Sequence, residues 1–135
     1  MERSDVSLYR VILPVSDIER AARFYADVLL VAGERVSSGR HYFDCGGAIL
    51  ACYDPVADGD ELGDGWRHHP KQYIYFAVDD LAATRRRAIE AGAQDLTEVG
   101  KFPWGETAFY ALDPFDNPIC FVLVSTEFRG GRYIG

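Results

Sequence analysis

The sequence predicts an α+β fold made of two βαβββ modules in tandem, and two observations support this prediction. The segment YRVILPVSDIERAA aligns with QYIYFAVDDLAATR at a constant offset of 63 residues, so that Val15 matches Val78 and Asp17 matches Asp80. Each copy begins with an apolar run typical of a strand, passes directly into a helical pattern and ends with three short runs of strand type. A repeat of this kind indicates one supersecondary unit used twice.

The chain has 135 residues, which suits one domain built from two small halves. We therefore expect a single domain over 1–135. Its first module spans 8–53, and a stretch at 54–72 that is rich in glycine and aspartate links it to a second module over 73–125. Residues 126–135 form a tail, which we expect to pack on the surface or on a second subunit.

The first module begins with a strand that turns into a helix from about Asp17 to Val31. Ser16 and Glu19 fit an S-x-x-E capping box at the start of this helix. The predicted apolar stripe of the helix consists of Ile18, Ala22, Tyr25 and Leu29. Three strands follow, at Glu34–Ser38, Arg40–Cys45 and Gly47–Tyr53.

The second module repeats this order. Its helix runs from about Asp80 to Ala91, with Asp79 as the N-cap and Gly92 as a left-handed C-cap. The residues of this helix that we expect to face inward are Leu81, Ala88 and Ala91. The three strands are Gln94–Gly100, Gly105–Leu112 and Pro118–Ser125. The last two strands are joined by a turn that contains Asp113, Pro114, Asp116 and Asn117.

The composition excludes several classes of function. The formal net charge is −7 and the sequence pI is about 4.8, so the chain lacks the concentrated positive surface that nucleic-acid binding needs. No apolar run is long enough to cross a membrane, and the start of the chain has no signal-peptide pattern. Three cysteines without CxxC spacing, Cys45, Cys52 and Cys120, are typical of free thiols, and we expect a cytoplasmic protein.

The repeat also separates the two faces of the first strand of each module. One face is apolar in both copies and is expected to pack on the helix: Val11, Leu13 and Val15, which match Ile74, Phe76 and Val78. The other face is mixed: Arg10, Ile12 and Pro14, which match Tyr73, Tyr75 and Ala77. Because an arginine is costly to bury without a partner, we expect this face to line a cavity where the two halves meet.

Three segments together resemble the vicinal oxygen chelate superfamily, which includes glyoxalase I, extradiol dioxygenases and the bleomycin-resistance proteins. LPVSDIERAARFYADVL is similar to its first strand–helix motif, FAVDDLAATRRRAIEAGA to its second, and FPWGETAFYALDPFDNPICFV to its closing hairpin. The resemblance covers the chain from about Val11 to Val124. It implies that the modules form a curved mixed sheet around a cleft, often built with a second subunit, and we expect a homodimer.

The resemblance also implies where a metal would bind, because the metal enzymes of the superfamily carry ligands, mostly His and Glu, at four symmetry-related strand positions. These positions fall on Arg10, Ala51, Tyr73 and Cys120. Arginine has no lone pair to offer, alanine has no donor atom, a neutral tyrosine is a poor ligand, and one cysteine does not make a site. We therefore expect no metal ion and no other cofactor.

This departure from the metal-binding pattern favours metal-free binding or sequestration of an aromatic or cationic small molecule, similar to the bleomycin-resistance branch. The expected ligand contacts are Arg10, Trp66, Tyr73, Tyr75, Trp104 and Cys120. The aromatic side chains would stack on the ligand, and Arg10 would orient a carboxylate or another acceptor. Acidic residues of the linker would attract positive charge: Asp58, Asp60, Glu61 and Asp64.

Two other functions stay open. A metal-dependent lyase, isomerase or dioxygenase of the same superfamily could use displaced ligands such as His41, His68 or Glu106. The chain could instead be a regulatory module with no small ligand of its own. The sequence does not assign roles to His41, His68, His69 or Glu106.

Overall fold

The computed structural model describes residues 6–62 and 70–128 of the chain. It divides into two compact units, Met1–His68 and His69–Gly135, and the boundary falls inside the stretch predicted to be a linker. Four residues named above lie outside the described ranges: Asp64, Trp66, His68 and His69.

The first unit has the predicted βαβββ order. Its elements are β1 (Arg10–Pro14), α1 (Ile18–Leu29), β2 (Glu34–Ser37), β3 (Arg40–Cys45) and β4 (Ala48–Tyr53). The four strands form one mixed sheet in the order β1-β4-β3-β2. Strands β1 and β4 are parallel, whereas the other two pairs are antiparallel.

The second unit repeats the arrangement. Its elements are β5 (Ile74–Val78), α2 (Leu81–Ala91), β6 (Gly100–Lys101), β7 (Thr107–Leu112) and β8 (Pro118–Leu123), followed by a 3₁₀ turn over Val124–Thr126. The sheet order is β5-β8-β7-β6, with β5 and β8 parallel. Two helices and two four-stranded mixed sheets in this order confirm the predicted tandem βαβββ fold.

The N-caps of both helices lie one residue later than the sequence predicts. The N-cap of α1 is Asp17 and not Ser16, and the N-cap of α2 is Asp80 and not Asp79. Each of these two aspartates accepts a hydrogen bond from a backbone N–H three residues later. A carboxylate at this position also interacts favourably with the helix dipole. Gly92 is the left-handed C-cap of α2, as predicted.

The strand predicted over Gln94–Gly100 is largely absent. Gln94 forms only an isolated bridge with the end of β7, and regular pairing returns at β6. Asp95 has a left-handed φ of 51°, which interrupts the extended backbone. The Thr97 hydroxyl accepts the backbone N–H of Tyr110 at 2.9 Å, so a side chain replaces a strand partner.

The buried stripe of α1 is rotated slightly from the predicted one. Its buried residues are Ile18, Ala21, Phe24, Tyr25 and Val28. Ala22 and Leu29, which were expected in the stripe, are only partly buried. The Tyr25 ring packs against Phe43 of β3 with centroids 6.1 Å apart, so α1 covers one face of the first sheet.

The second core is built around stacked phenylalanines. The Phe121 ring stacks on Phe76 at 5.3 Å and on Phe109 at 5.1 Å. The helix α2 contacts β7 and β8 and buries Leu81, Thr84 and Ala88, whereas Ala91 is only partly buried. In both units, therefore, the side chains that alternate away from this core lie on the other face of the sheet.

The first part of the predicted linker is folded onto the first unit. The Asp58 carboxylate accepts a hydrogen bond from the Ser37 hydroxyl at 3.0 Å and forms an ion pair with Arg40 at 2.7 Å. The Asp60 carboxylate accepts a hydrogen bond from the Tyr53 hydroxyl. Two of the acidic residues expected to attract a ligand are therefore used to hold this segment in place.

Candidate functional site

Five aromatic side chains of the second unit gather on the sheet face opposite the stacked phenylalanines. We call them the aromatic cluster: Tyr73, Tyr75, Phe102, Trp104 and Tyr110. Tyr110 is at the centre, with ring centroids 5.1 Å from Tyr73, 5.5 Å from Phe102 and 6.3 Å from Tyr75, all nearly edge-on. Phe102 in turn stacks on Trp104 at 4.9 Å. These are favourable aromatic geometries, so the rings hold one another in position.

Strand register brings part of the cluster together. Tyr75 of β5 and Tyr110 of β7 are both partners of Cys120 in β8, so the thiol lies between two phenols in one row across the sheet. Phe102 belongs to the turn that follows β6. Gly105 in this turn has φ 104° and donates its N–H to the Phe102 carbonyl at 2.9 Å. That conformation favours glycine and presents Trp104 beside the row.

The cluster is open to water on one side and carries a negative charge. Trp104 is 54% exposed and Tyr75 is 52% exposed. The Trp104 indole N–H donates to the Glu106 carboxylate at 2.8 Å. Within the described part of the chain, Glu106 has no ion pair with a lysine or arginine. Aromatic ring faces beside an unpaired carboxylate form a surface that suits planar or cationic organic groups.

Cys120 is buried beneath the cluster, and its thiol is in the unreactive, protonated form at neutral pH. Its residue is 0% exposed and packs with Ala108 and Val122, under the partly buried Tyr73, Phe102 and Tyr110. Burial raises the pKa of the Cys120 thiol to about 12, although a hydrogen bond with Tyr110 acts in the opposite direction. Because the thiolate is the reactive form, a thiol with this pKa is a poor nucleophile at neutral pH.

The first unit has a pocket of about 280 Å³ on the sheet face opposite α1. Its lining consists of Arg10, Ile12, Val36, Arg40, Tyr42, Ala51 and Tyr53. The Arg10 guanidinium donates to the Tyr42 hydroxyl at 3.1 Å and lies over the Tyr9 and Tyr42 rings. The predicted contact Arg10 therefore belongs to a polar pocket of its own unit.

The residues at the four inherited ligand positions do not fit a divalent metal ion. Register confirms that Ala51 and Cys120 are equivalent, because they pair with Ile12 and Tyr75, which match in the repeat. The donor set therefore consists of a guanidinium, a methyl group, a phenol and a protonated thiol. Among residues 6–62 and 70–128, no three His, Cys, Asp or Glu side chains come together as a metal site requires.

Of the displaced ligands considered above, His41 has a structural role. It is buried, its Nε2 lies 3.1 Å from the Ala32 carbonyl, and its Nδ1 accepts from Arg35 at 3.2 Å. Both ring nitrogens are therefore occupied. Glu106, by contrast, lies at the aromatic cluster. The sequence did not predict which way this side chain faces.

The structure brings together four of the six predicted contact residues. Tyr73, Tyr75, Trp104 and Cys120 meet in the second unit. Arg10 is in the first unit, and Trp66 lies outside the described residues. Sequence reasoning missed the central member, Tyr110, and gave no role to Phe102.

The two-residue alternation of β7 could have predicted which sheet face Tyr110 lies on. Tyr110 and Ala108 share one strand face, and the small Ala108 leaves room for rings beside it. Phe102 carried no comparable signal, because its position depends on the turn that ends at Gly105.

Comparison with known proteins agrees with this architecture. Residues 7–121 match the Glyoxalase/Bleomycin resistance protein/Dioxygenase superfamily. A glyoxalase/bleomycin resistance protein from Albidiferax ferrireducens T118 is similar in structure, with a TM-score of 0.68 and 21% identity over 85% of this chain and 97% of that one. No curated protein matches the chain.

Two further solved structures are similar. A glyoxalase/bleomycin resistance protein/dioxygenase family enzyme from Burkholderia phytofirmans PsJN has a TM-score of 0.69 and 21% identity, covering 88% of this chain and 99% of that chain. A lactoylglutathione lyase from Agrobacterium tumefaciens has a TM-score of 0.66 and 18% identity, covering 90% and 96%. At these identities the likeness shows the fold. Within the described residues, no helix is long and apolar enough to span a membrane.

Proposed function

Because the chain belongs to the Glyoxalase/Bleomycin resistance protein/Dioxygenase superfamily, we propose that it uses this fold to bind or sequester an aromatic or cationic small molecule without a metal ion. The aromatic cluster is the binding surface. One observation carries the proposal: five packed rings surround a half-open face next to Glu106, which has no cationic ion-pair partner among residues 6–62 and 70–128.

The energetics of aromatic contacts support this role. A planar group lying on the exposed faces of Trp104 and Tyr75 gains about 0.5–1.5 kcal/mol per ring contact beyond the area it buries. A cationic group over the same faces gains about 0.5–2 kcal/mol per contact, and the Glu106 carboxylate adds a direct attraction. Micromolar affinity corresponds to about −8 kcal/mol, so the ligand must use several of these contacts together with burial of its apolar surface.

The packing of the rings also favours binding. The edge-to-face contacts of Tyr110 with Tyr73 and Phe102 restrict all three rings before any ligand arrives. The hydrogen bond to Glu106 restricts Trp104 in the same way. Side chains that are already ordered lose little conformational entropy on binding, so more of the contact energy appears as affinity.

Sequestration is favoured over chemistry because the one thiol at the cluster is held in its neutral form. Burial raises the pKa of Cys120 to about 12, and burial also raises the pKa of Tyr110, its cross-strand partner. Neither group supplies an anion at neutral pH. An ordered, largely aromatic surface whose phenol and thiol stay neutral suits reversible binding.

A fluorescence titration tests the proposal. The chain contains two tryptophans, so Trp66→Phe gives a parent protein in which Trp104 is the only indole. We expect benzyltrimethylammonium, an aromatic quaternary amine, to change this fluorescence in a saturable way, with calorimetry giving the same dissociation constant. In that parent, Tyr75→Ala should weaken binding by about tenfold.

Two control variants make the test specific. Phe128 is 70% exposed but lies outside the cluster, so Phe128→Ala should bind as the parent does. Glu106→Gln should weaken binding of the cation while leaving binding of neutral indole unchanged, because only the charge attraction is removed. Absence of saturable binding by both probes, or equal affinity in Tyr75→Ala and Phe128→Ala, would overturn the proposal.

A further inference from the structure

The pocket of the first unit has a charge pattern of its own. Two arginines line it, and they differ in how they are compensated. Arg40 pairs with Asp58 at 2.7 Å and lies 4.3 Å from the centroid of the Tyr53 ring. Hydrogen bonds from Ser37 and from the Gly39 N–H hold the pKa of Asp58 below its usual value, so its carboxylate stays charged and neutralises Arg40.

Arg10 has no such compensation. Its contacts within the described residues are the Tyr42 hydroxyl and the rings of Tyr9 and Tyr42, and none of these carries a negative charge. Asp44 lies in the same cross-strand row, two strands away, but its carboxylate accepts the Gly47 N–H at 2.9 Å. Arg10 is therefore the lining arginine that has no carboxylate partner among residues 6–62 and 70–128, whereas the Asp58 and Asp60 carboxylates lie beside Arg40 and Tyr53.

The Tyr42 hydroxyl provides a second hydrogen-bond donor beside the Arg10 guanidinium. Its oxygen accepts the hydrogen bond from Arg10, so its own proton remains available to a second acceptor. No acceptor for that proton occurs among residues 6–62 and 70–128. A ligand oxygen placed beside Arg10 can thus receive hydrogen bonds from both the guanidinium and the phenol.

We propose that this pocket is a second binding site, which takes a small organic monoanion with a carboxylate group and an apolar body. The planar carboxylate matches the fork of Arg10 and receives the Tyr42 proton. The apolar body lies on the wall formed by Ile12, Val36 and Ala51. A single negative charge balances the single uncompensated arginine. All residues that line the site belong to the first unit.

The probes for this site are benzoate and benzamide, which have nearly the same shape and differ in charge. Isothermal titration should detect saturable millimolar binding of benzoate and none of benzamide. Arg10→Gln should weaken benzoate binding by about tenfold or more, and Tyr42→Phe by several-fold, because each removes a hydrogen bond to a charged group. Arg86→Gln, which changes an exposed arginine of α2, should leave benzoate binding unchanged.

Three results would overturn the proposal: no saturable binding of benzoate, equal binding of benzamide, or unchanged affinity in Arg10→Gln. Because the Arg10 side chain is exposed, we expect Arg10→Gln to fold normally, and its thermal midpoint checks this. Arg10→Lys provides a second measurement, because lysine keeps the positive charge but cannot donate two parallel hydrogen bonds to a carboxylate. Its affinity for benzoate should lie between those of the parent and of Arg10→Gln. Failure here leaves the benzyltrimethylammonium test of Tyr75 unaffected.

Discussion

Tyr110 and Cys120 are register partners on adjacent strands, so the phenol and the thiol lie side by side on one face of the sheet. Burial is the main influence on both groups. It raises the pKa of Cys120 to about 12 and the pKa of Tyr110 above its usual value, to which a hydrogen bond with Tyr75 also contributes. The phenol and the thiol beneath the aromatic cluster are therefore uncharged near neutral pH, so in the proposed function recognition rests on the rings and on Glu106.

Cys120 is expected to resist alkylation in the folded protein. With a pKa of about 12, about one Cys120 thiol in ten thousand is ionised near pH 8. A short pulse of iodoacetamide followed by peptide mass spectrometry should label the half-buried Cys45 first. Cys120 should react only after denaturant is added. Labelling of Cys120 before Cys45 in the native protein would contradict the burial described above.

Stability should fall as the solution becomes alkaline. The folded pKa of Cys120 is raised from 9.0 to about 12, and that of Tyr110 is raised above 10.0. Above about pH 9 the unfolded chain therefore loses protons that the folded chain still holds, so the free energy of unfolding decreases with pH. Below pH 9 the thiol is protonated in both the folded and the unfolded chain, so titration of Cys120 does not lower the free energy of unfolding there.

Urea unfolding at intervals from about pH 8 to pH 11 measures this dependence. Cys120→Ala removes one of the two groups and makes the second unit resemble the first, where Ala51 holds the equivalent place. We expect this variant to lose about 1 kcal/mol at neutral pH and to decline less steeply above pH 9. If the free energy of unfolding decreased with pH equally steeply in the parent and in Cys120→Ala, Cys120 would not be a source of the alkaline instability.

The protein should carry no stoichiometric divalent metal. The four inherited ligand positions offer a guanidinium, a methyl group, a phenol and a neutral thiol, which cannot supply the three or more donors of a catalytic site. Elemental analysis by mass spectrometry of protein purified without chelator or affinity tag checks this. One equivalent of Zn, Ni, Fe or Mn per chain would favour the enzymatic alternative and a ligand set that includes displaced residues.

The repeat explains how much of the fold was predictable. A constant offset and two-residue alternation were enough to place Tyr73 and Tyr75 on one sheet face, because both are local properties of the chain, and the family resemblance added Cys120. The offset does not decide the helix caps, because Ser16 matches Asp79 just as Asp17 matches Asp80, and all four are residue types that cap helices well.

The features that escaped prediction depend on neighbours distant in sequence. Tyr110 joins the cluster through pairing of β7 with β8, and the left-handed Asp95 ends the predicted strand at Gln94–Gly100. The pocket around Arg10 requires Tyr42, which is 32 residues away. No local pattern specifies such contacts, because they are set by tertiary packing.

We propose that the protein is a homodimer, and exposed apolar residues before β1 support a contact with a second copy. Val6, Leu8 and Tyr9 are 78%, 70% and 63% exposed, a concentration of apolar surface that is typical of interfaces. Size-exclusion chromatography with light scattering should give twice the chain mass of 15.1 kDa. Leu8→Asp should shift the mass towards one chain, whereas a single-chain mass for the parent at all concentrations would exclude the dimer.

His41 is expected to contribute to stability and not to ligand or metal binding. Arg35 can only donate, so the His41 Nδ1 is the acceptor and Nε2 carries the proton that it donates to the Ala32 carbonyl. Arg35 also pairs with Glu19 of α1 at 2.7 Å, and the imidazole packs on Phe43 at 5.0 Å. His41→Ala removes a buried ring together with its hydrogen bonds to Arg35 and to the Ala32 carbonyl, and should cost about 1–3 kcal/mol in urea unfolding. Binding of benzyltrimethylammonium should persist unchanged under native conditions, because His41 and the aromatic cluster belong to different units. If His41→Ala were as stable as the parent and lost a bound metal, His41 would be a displaced ligand and its structural role would be excluded.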